Sequence, residues 1–263
     1  MTAKSPPKDV MTGRRRIFLM RHGHVNYFAP GLTDPRSVPL TDEGREQARA
    51  AGLALSHQRF DFAVSSGLPR TQETAQLVLG EQDLGAQDAP PAIVAAPGLE
   101  ELKSGWIQAT SRMELAAKLA FSFDAAGEEG ARFPPDGEFF REAETRILQE
   151  ITALITQRRW RTALIVAHEG VNRILLGWAC GGGLATARAF EQDLACINVL
   201  DVDVTPKAAA TTGDNDDPGV QVERVVIKAQ NITPYDYLKA GLSRTSLEHL
   251  FDVDFGASRP LSA

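Results

Sequence analysis

Short apolar runs alternate with longer amphipathic stretches along most of the chain. Residues 17–20, 62–64, 93–95 and 163–167 are short and apolar throughout, the pattern of strands buried on both faces. Between them the period lengthens. Thr41 precedes an acidic first turn, and Ala48, Ala51, Gly52 and Leu55 follow at the i, i+3, i+4, i+7 spacing that predicts a helix. Residues 69–79 suit a second helix with proline in its first turn. Ser111 and Glu114 form a capping-box pattern before residues 115–123. A longer helix is predicted over 138–157, with Phe140, Ile147, Ile151 and Leu154 on one face, and another over 171–180, stopped by Gly181 to Gly183. Residues 195–204 and 220–229 read as two further strands.

Strands that alternate with helices imply a mostly parallel central sheet covered on both faces, a three-layer α/β/α fold. Residues 1–13 are polar and read as a flexible arm, and 14–263 as a single domain. Residues 121–136, rich in Gly, Pro and charge, belong to an expected helical cap insertion at about 106–141, and 205–219 to a hairpin loop. Asp214, Asp216 and Asp217 in that loop lack the oxygen ligands a calcium loop needs further on, so a solvated loop is the reading.

Composition narrows the class. The 263 residues are 43% hydrophobic and 24% charged, which excludes collagen-like, disordered and coiled-coil chains. Net charge is 28 − 34 = −6, with no attraction of the whole molecule to nucleic acid or anionic membrane. Two cysteines, Cys180 and Cys196, suggest a reducing compartment. The longest uncharged run, 174–187, has 14 residues and three glycines, too short to span a membrane. Arg15-Arg16 imitates a twin-arginine signal, but only four apolar residues follow before Arg21, so the expected location is cytoplasmic. The sequence leaves a homodimer open.

In open α/β sheets ligands bind beyond the carboxyl ends of the strands. The first predicted strand runs into Arg21-His22-Gly23-His24, the second into Ser65-Ser66 and then Arg70, and the fourth into His168-Glu169-Gly170. Two histidines and two arginines thus reach one edge. His57 and His249 fall in polar helical segments and read as surface residues. Phosphoryl transfer uses such a set: guanidinium forks neutralise phosphate oxygens, a neutral imidazole attacks phosphorus, a second, cationic imidazole completes the pocket, and a carboxylic acid protonates the leaving group.

Leu19-Met-Arg-His-Gly23, residues 65–75 (SSGLPRTQETA), Leu99-Glu-Glu-Leu-Lys-Ser-Gly-Trp106 and Val166-Ala-His-Glu-Gly-Val-Asn-Arg173 resemble, in order and spacing, the blocks of the histidine phosphatase superfamily, also called phosphoglycerate mutase-like. Leu40-Thr-Asp-Glu-Gly-Arg-Glu-Gln-Ala48 resembles its first-helix block. The likeness spans about residues 16–200. It implies that His22 is the phosphorylated histidine, Arg21 and Arg70 the phosphate clamps, His168 the second pocket histidine, and Glu101 the proton donor. Glu101 is preferred to Glu100 because the family's block sets the acid two residues after Leu99 and four before Gly105. The implied activity is a phosphomonoesterase for a small phosphorylated metabolite, without metal or cofactor.

Three departures stand out. His24, Val25 and Phe28 replace residues that often supply a hydroxyl and an amide to the phosphate or substrate; Asn26 is a candidate substitute, and His24 and Asn26 join the expected substrate-binding set. Glu169 stands where the family usually has Gly and brings negative charge towards an anion pocket. Residues 106–111 do not resemble the long mutase signature, which favours phosphatase over mutase. Two other readings stay open at this stage: a metal hydrolase using His22, His24 and His168, and a non-catalytic member that binds phosphoprotein.

Overall fold

In β1 (Gly13–Arg21) Ile17 and Leu19 face one layer of the molecule while Phe18 and Met20 face the other. That alternation is what a strand buried on both sides requires. The computed structural model describes residues 12–85, 89–105, 111–134, 136–207, 219–240 and 244–254. Further strands are β2 (Phe62–Ser65), β3 (Ile93–Ala95), β4 (Thr162–Ala167), β5 (Ile197–Pro206) and β6 (Val220–Ile232), in the sheet order β3-β2-β4-β1-β5-β6. β1 to β4 pair in parallel, whereas β5 and β6 are antiparallel additions at one side.

Helices α1 (Asp42–Ala54) and α2 (Pro69–Gly80) cover one face through Ala51, Leu55, Ala75, Val78 and Leu79. The other face is covered by α4 (Phe140–Thr156) and α5 (Glu169–Ala179). Phe140, Ile147, Ile151 and Leu154 of α4 are all buried, as their spacing predicts; each such side chain stabilises the fold by about 2 kcal/mol. The architecture is therefore the expected three-layer α/β/α. Among the described residues no helix is long and apolar enough to cross a membrane.

Several boundaries differ from the sequence reading, each for a tertiary reason. β1 begins at Gly13 because Arg14 and Arg16 form two-pronged ion pairs with Asp203 and Asp201 on β5, while Arg15 donates to the carbonyls of Ile155 and Arg158. α4 starts at Phe140 rather than 138, since the Glu138 carboxylate is held by Arg146 and its N–H by Lys103 O. α5 starts at Glu169, with His168 at its N-cap.

The covering elements over the carboxyl edge come from three places, not from the insertion alone. Ser111 caps α3 (Arg112–Ala120) by accepting from Glu114 N–H, and α3 packs on α6 (Ser246–Phe251), near the C-terminus. Phe28, from the loop after β1, meets Phe251 at 5.6 Å and lies 4.5 Å beneath the Arg112 guanidinium. α6 carries a reciprocal capping box, Thr245 with Glu248, that the hydrophobic pattern did not flag. Pro206 at the end of β5 pairs with Val220 at the start of β6, while most of the expected hairpin loop, with Asp214, Asp216 and Asp217, and residues 106–110 lie outside the described residues.

Candidate active site

Because β1, β2 and β4 are adjacent and parallel, their carboxyl ends deliver side chains to one place. His22 follows β1, its N–H bonded to Ala167 O at 3.2 Å, which sets it beside His168 at the end of β4. Their ring centroids are 5.2 Å apart. Arg70, in the first turn of α2, brings Nη2 to 3.5 Å from His168 Nδ1. Arg21, His22, Arg70 and His168 are all buried. Gly23 is needed for the turn that follows: a Cβ there would lie 2.3 Å from Gly44 O of α1.

Hydrogen bonds assign the tautomers. His22 Nδ1 lies 2.8 Å from Gly23 O, and a carbonyl only accepts, so Nδ1 carries the proton and Nε2 keeps its lone pair. Thr71 donates to Leu68 O, so Ser66 Oγ donates to Thr71 Oγ1 and accepts from His168 Nε2–H at 2.8 Å. That leaves His168 Nδ1 as an acceptor facing Arg70. Burial, then Arg70 and Arg21, hold the His22 imidazole well below the usual histidine range, and burial, then Arg70, His22 and Arg21, do the same to His168. Both rings are neutral near pH 7. The expected cationic second histidine is thus corrected: the positive charge resides on the two arginines.

Arg21 Nη1 donates to Gln192 O at 2.5 Å and lies 3.1 Å from Glu169 Oε2. Yet Arg21 Nε and Arg70 Nε are buried with no partner among the described residues. A buried donor left unmade costs about 1–3 kcal/mol, so both arginines retain capacity for an anion.

Glu101 sits at the rim. Its Oε1 accepts from Leu102 N–H at 2.9 Å and its Oε2 from Gly170 N–H at 3.4 Å. Gly170 permits this approach: a Cβ would lie 2.7 Å from Glu101 Oε1. Burial and the neighbouring Glu169 charge raise the Glu101 pKa against the opposing backbone bonds and Arg21. Glu100 points elsewhere and pairs with Arg36 through both oxygens.

Glu169 does not oppose the pocket as the sequence suggested. Burial works against its charge, but Arg21 and Arg173 outweigh it and hold the carboxyl below its ordinary value. Ser246 of α6 adds a hydrogen bond to Oε2 at 3.2 Å.

Other sequence expectations part from the cluster. Asn26 is exposed, and its Oδ1 accepts from Phe28 N–H in a local turn. His24 turns to α1: Nδ1 lies 2.8 Å from Thr41 Oγ1, and its ring meets His249 at 5.7 Å. Among the described residues the His/Cys/Asp/Glu groups with metal-ligand spacing reduce to His24, Glu43 and His249, so a His22, His24, His168 metal set does not form. His249 lies at the surface, where it is hydrogen-bonded to Glu43.

Tyr27 was missed. The Arg70 guanidinium lies 5.9 Å from its ring centroid, and Arg70, Glu101, Arg21 and Glu169 all act electrostatically on the phenol. Burial raises its pKa, so it stays protonated, and Oη has no hydrogen-bond partner among the described residues. The one available signal was its place five residues after His22, where the family's hydroxyl and amide were absent nearby.

The sequence matches the histidine phosphatase superfamily (branch 1) over residues 17–215. It is 28% identical over 189 residues to the adenosylcobalamin/alpha-ribazole phosphatase of Escherichia coli (strain K12), covering 71% of this chain and 90% of that protein. It is 32% identical over 177 residues to the 2,3-bisphosphoglycerate-dependent phosphoglycerate mutase of Azorhizobium caulinodans, covering 62% of this chain and 80% of that one. Among solved structures, the alpha-ribazole phosphatase of Shigella flexneri is similar with a TM-score of 0.58 and 25% identity, over 82% of this chain and 96% of that chain.

Proposed function

The chain belongs to the histidine phosphatase superfamily, and we propose that it is a phosphomonoesterase acting through a phosphohistidine at His22 on a small phosphorylated metabolite. The observation that carries this reading is the neutral His22, with its lone pair on Nε2, beside two buried arginines whose Nε–H groups each have no partner among the described residues.

In the proposed reaction Arg21 and Arg70 receive the phosphate oxygens, and His168, through its Nδ1, positions the Arg70 guanidinium that binds them. His22 Nε2 attacks phosphorus, the phosphorus–oxygen ester bond breaks, and Glu101 gives its proton to the departing alkoxide. The Glu101 carboxylate then takes a proton from water as that water attacks phosphorus. The phosphorus–nitrogen bond breaks, its electron pair returns to Nε2, and inorganic phosphate leaves. The arginines supply the charge stabilisation, so no metal is needed in this scheme. Relatives named as alpha-ribazole and 2-carboxy-D-arabinitol-1-phosphatases support a sugar-type phosphate as substrate. Two free cysteines, Cys180 and Cys196, support a reducing, cytoplasmic setting.

Quenching during turnover should trap an acid-labile, base-stable phosphoryl group on the protein, and His22→Ala should lose both the label and the activity. Full activity in that variant overturns the reading. Mutase-type transfer is the second reading, favoured by the likeness to the Azorhizobium mutase. Release of inorganic phosphate, with little interconversion of 2- and 3-phosphoglycerate, separates the two.

A further inference from the structure

His24, Glu43 and His249 come from the loop after β1, the first turn of α1 and α6, and the proposed reaction uses none of them. Each offers one ligand atom, and those atoms all lie within 4.8 Å of one another. His249 Nε2 is 2.8 Å from Glu43 Oε1, and His24 Nδ1 is 3.8 Å from Glu43 Oε2. We infer that these three side chains form a binding site for one divalent transition-metal ion of the zinc class, separate from the catalytic pocket, that ties α6 to α1.

The hydrogen bonds prepare His24 as a ligand. Thr41 Oγ1 donates to His24 O and accepts from Gly44 N–H, so its remaining lone pair accepts from His24 Nδ1–H. That bond fixes the tautomer and leaves Nε2 bare, the arrangement usually found behind a metal-bound imidazole. At His249 the ion takes the place of the proton now shared between Nε2 and Glu43, and that proton passes to solvent. Two imidazoles and a carboxylate suit zinc rather than calcium or magnesium, which prefer all-oxygen shells. Zinc ligands lie at about 2.0–2.2 Å, so the three ligand atoms, now up to 4.8 Å apart with His24 nearest Glu43 through Nδ1, must regroup around the ion, and Glu43 and His249 are exposed enough to move. Glu43 and His249 also line a cleft of about 460 Å³ with Glu46, Asp236 and Arg244, and although Lys239 pairs with Asp193 on its wall, the carboxylates still outnumber the cations there. The consequence reaches the catalytic residues indirectly: α6 carries Ser246, which bonds Glu169, which holds Arg21.

The test is calorimetric titration of the full-length protein with Zn²⁺, paired with thermal unfolding. The wild type should bind one equivalent with a raised Tm, and Co²⁺ in its place should give the absorption bands of a low-coordinate site. His249→Ala and Glu43→Gln should each weaken binding by ~100-fold or more and abolish the Tm shift, since even second-shell changes cost ~10–100-fold. His22→Ala, in the catalytic pocket, should bind Zn²⁺ as the wild type does. Absence of binding to the wild type, undiminished binding to both His249→Ala and Glu43→Gln, or loss of binding in His22→Ala would each overturn the inference. Should His249→Ala fail to fold, Glu43→Gln and His24→Gln decide the matter.

Discussion

Glu169 Oε2 lies 3.1 Å from Arg21 Nη1, while its Oε1 receives both Nε and Nη2 of Arg173. A residue that departs from the family's usual glycine therefore sits between two buried guanidinium groups and orients the one that borders His22. The same carboxylate raises the pKa of Glu101 across Gly170.

Glu169→Gln keeps the shape and removes the charge. Breaking a buried ion pair from one side costs about 3 kcal/mol, which urea unfolding should register as a lower midpoint. Its kinetic signature distinguishes positioning from mere stability. In the proposed reaction Glu101 acts as an acid only while protonated, so the rate should fall as pH rises through its raised pKa. Burial still raises that pKa, and Leu102 N–H, Gly170 N–H and Arg21 still lower it, but the like charge of Glu169 is gone. The basic limb of the kcat profile should move to lower pH; an unmoved limb counts against the coupling.

Glu101→Gln should slow alkyl phosphate hydrolysis by ~10²-fold or more, the usual size of a general-acid contribution, and aryl phosphate hydrolysis much less. A nitrophenolate departs without a proton, whereas a sugar alkoxide needs one. Equal losses on both substrates would make Glu101 a brace for Arg21.

Gly170→Ala adds one methyl where 2.7 Å separates its Cβ from Glu101 Oε1 and 2.8 Å from Leu102 Cδ1. Glu101 must shift, so this variant should reproduce the Glu101→Gln selectivity in weaker form while His22 remains phosphorylated by aryl phosphates. Phosphoenzyme trapping with both substrate types checks it.

Tyr27→Phe removes a protonated phenol that stands in the field of Arg70 and Glu101 with no hydrogen-bond partner among the described residues. A hydrogen bond from Oη to a charged phosphate or substrate oxygen is worth about 1.5 kcal/mol or somewhat more, so kcat/KM should fall roughly tenfold with little change in Tm. A loss confined to stability would return Tyr27 to a packing role.

Hydrophobic period and strand-end chemistry by themselves placed the sheet, its two helical layers, and Arg21, His22, Arg70 and His168 at one edge. Those features are local: a strand's two-residue alternation and the residue that follows it are both written in contiguous sequence. The preference for Glu101 over Glu100 came only through the resemblance; in the fold one side chain pairs with Arg36 and the other accepts from the N–H of Gly170. What tertiary structure alone decided depends on side chains far apart in the chain. Arg14 and Arg16 extend β1 because Asp203 and Asp201 lie 189 and 185 residues away across the sheet. His24 leaves the pocket because Thr41 holds its ring, and it meets His249 only because α6 returns over α1. Glu169 changes from an apparent obstacle to a support for Arg21 because Arg173 and Ser246 share its charge. Pairings of that kind arise from where the folded backbone brings charge and hydrogen-bonding groups together, and no local period encodes them.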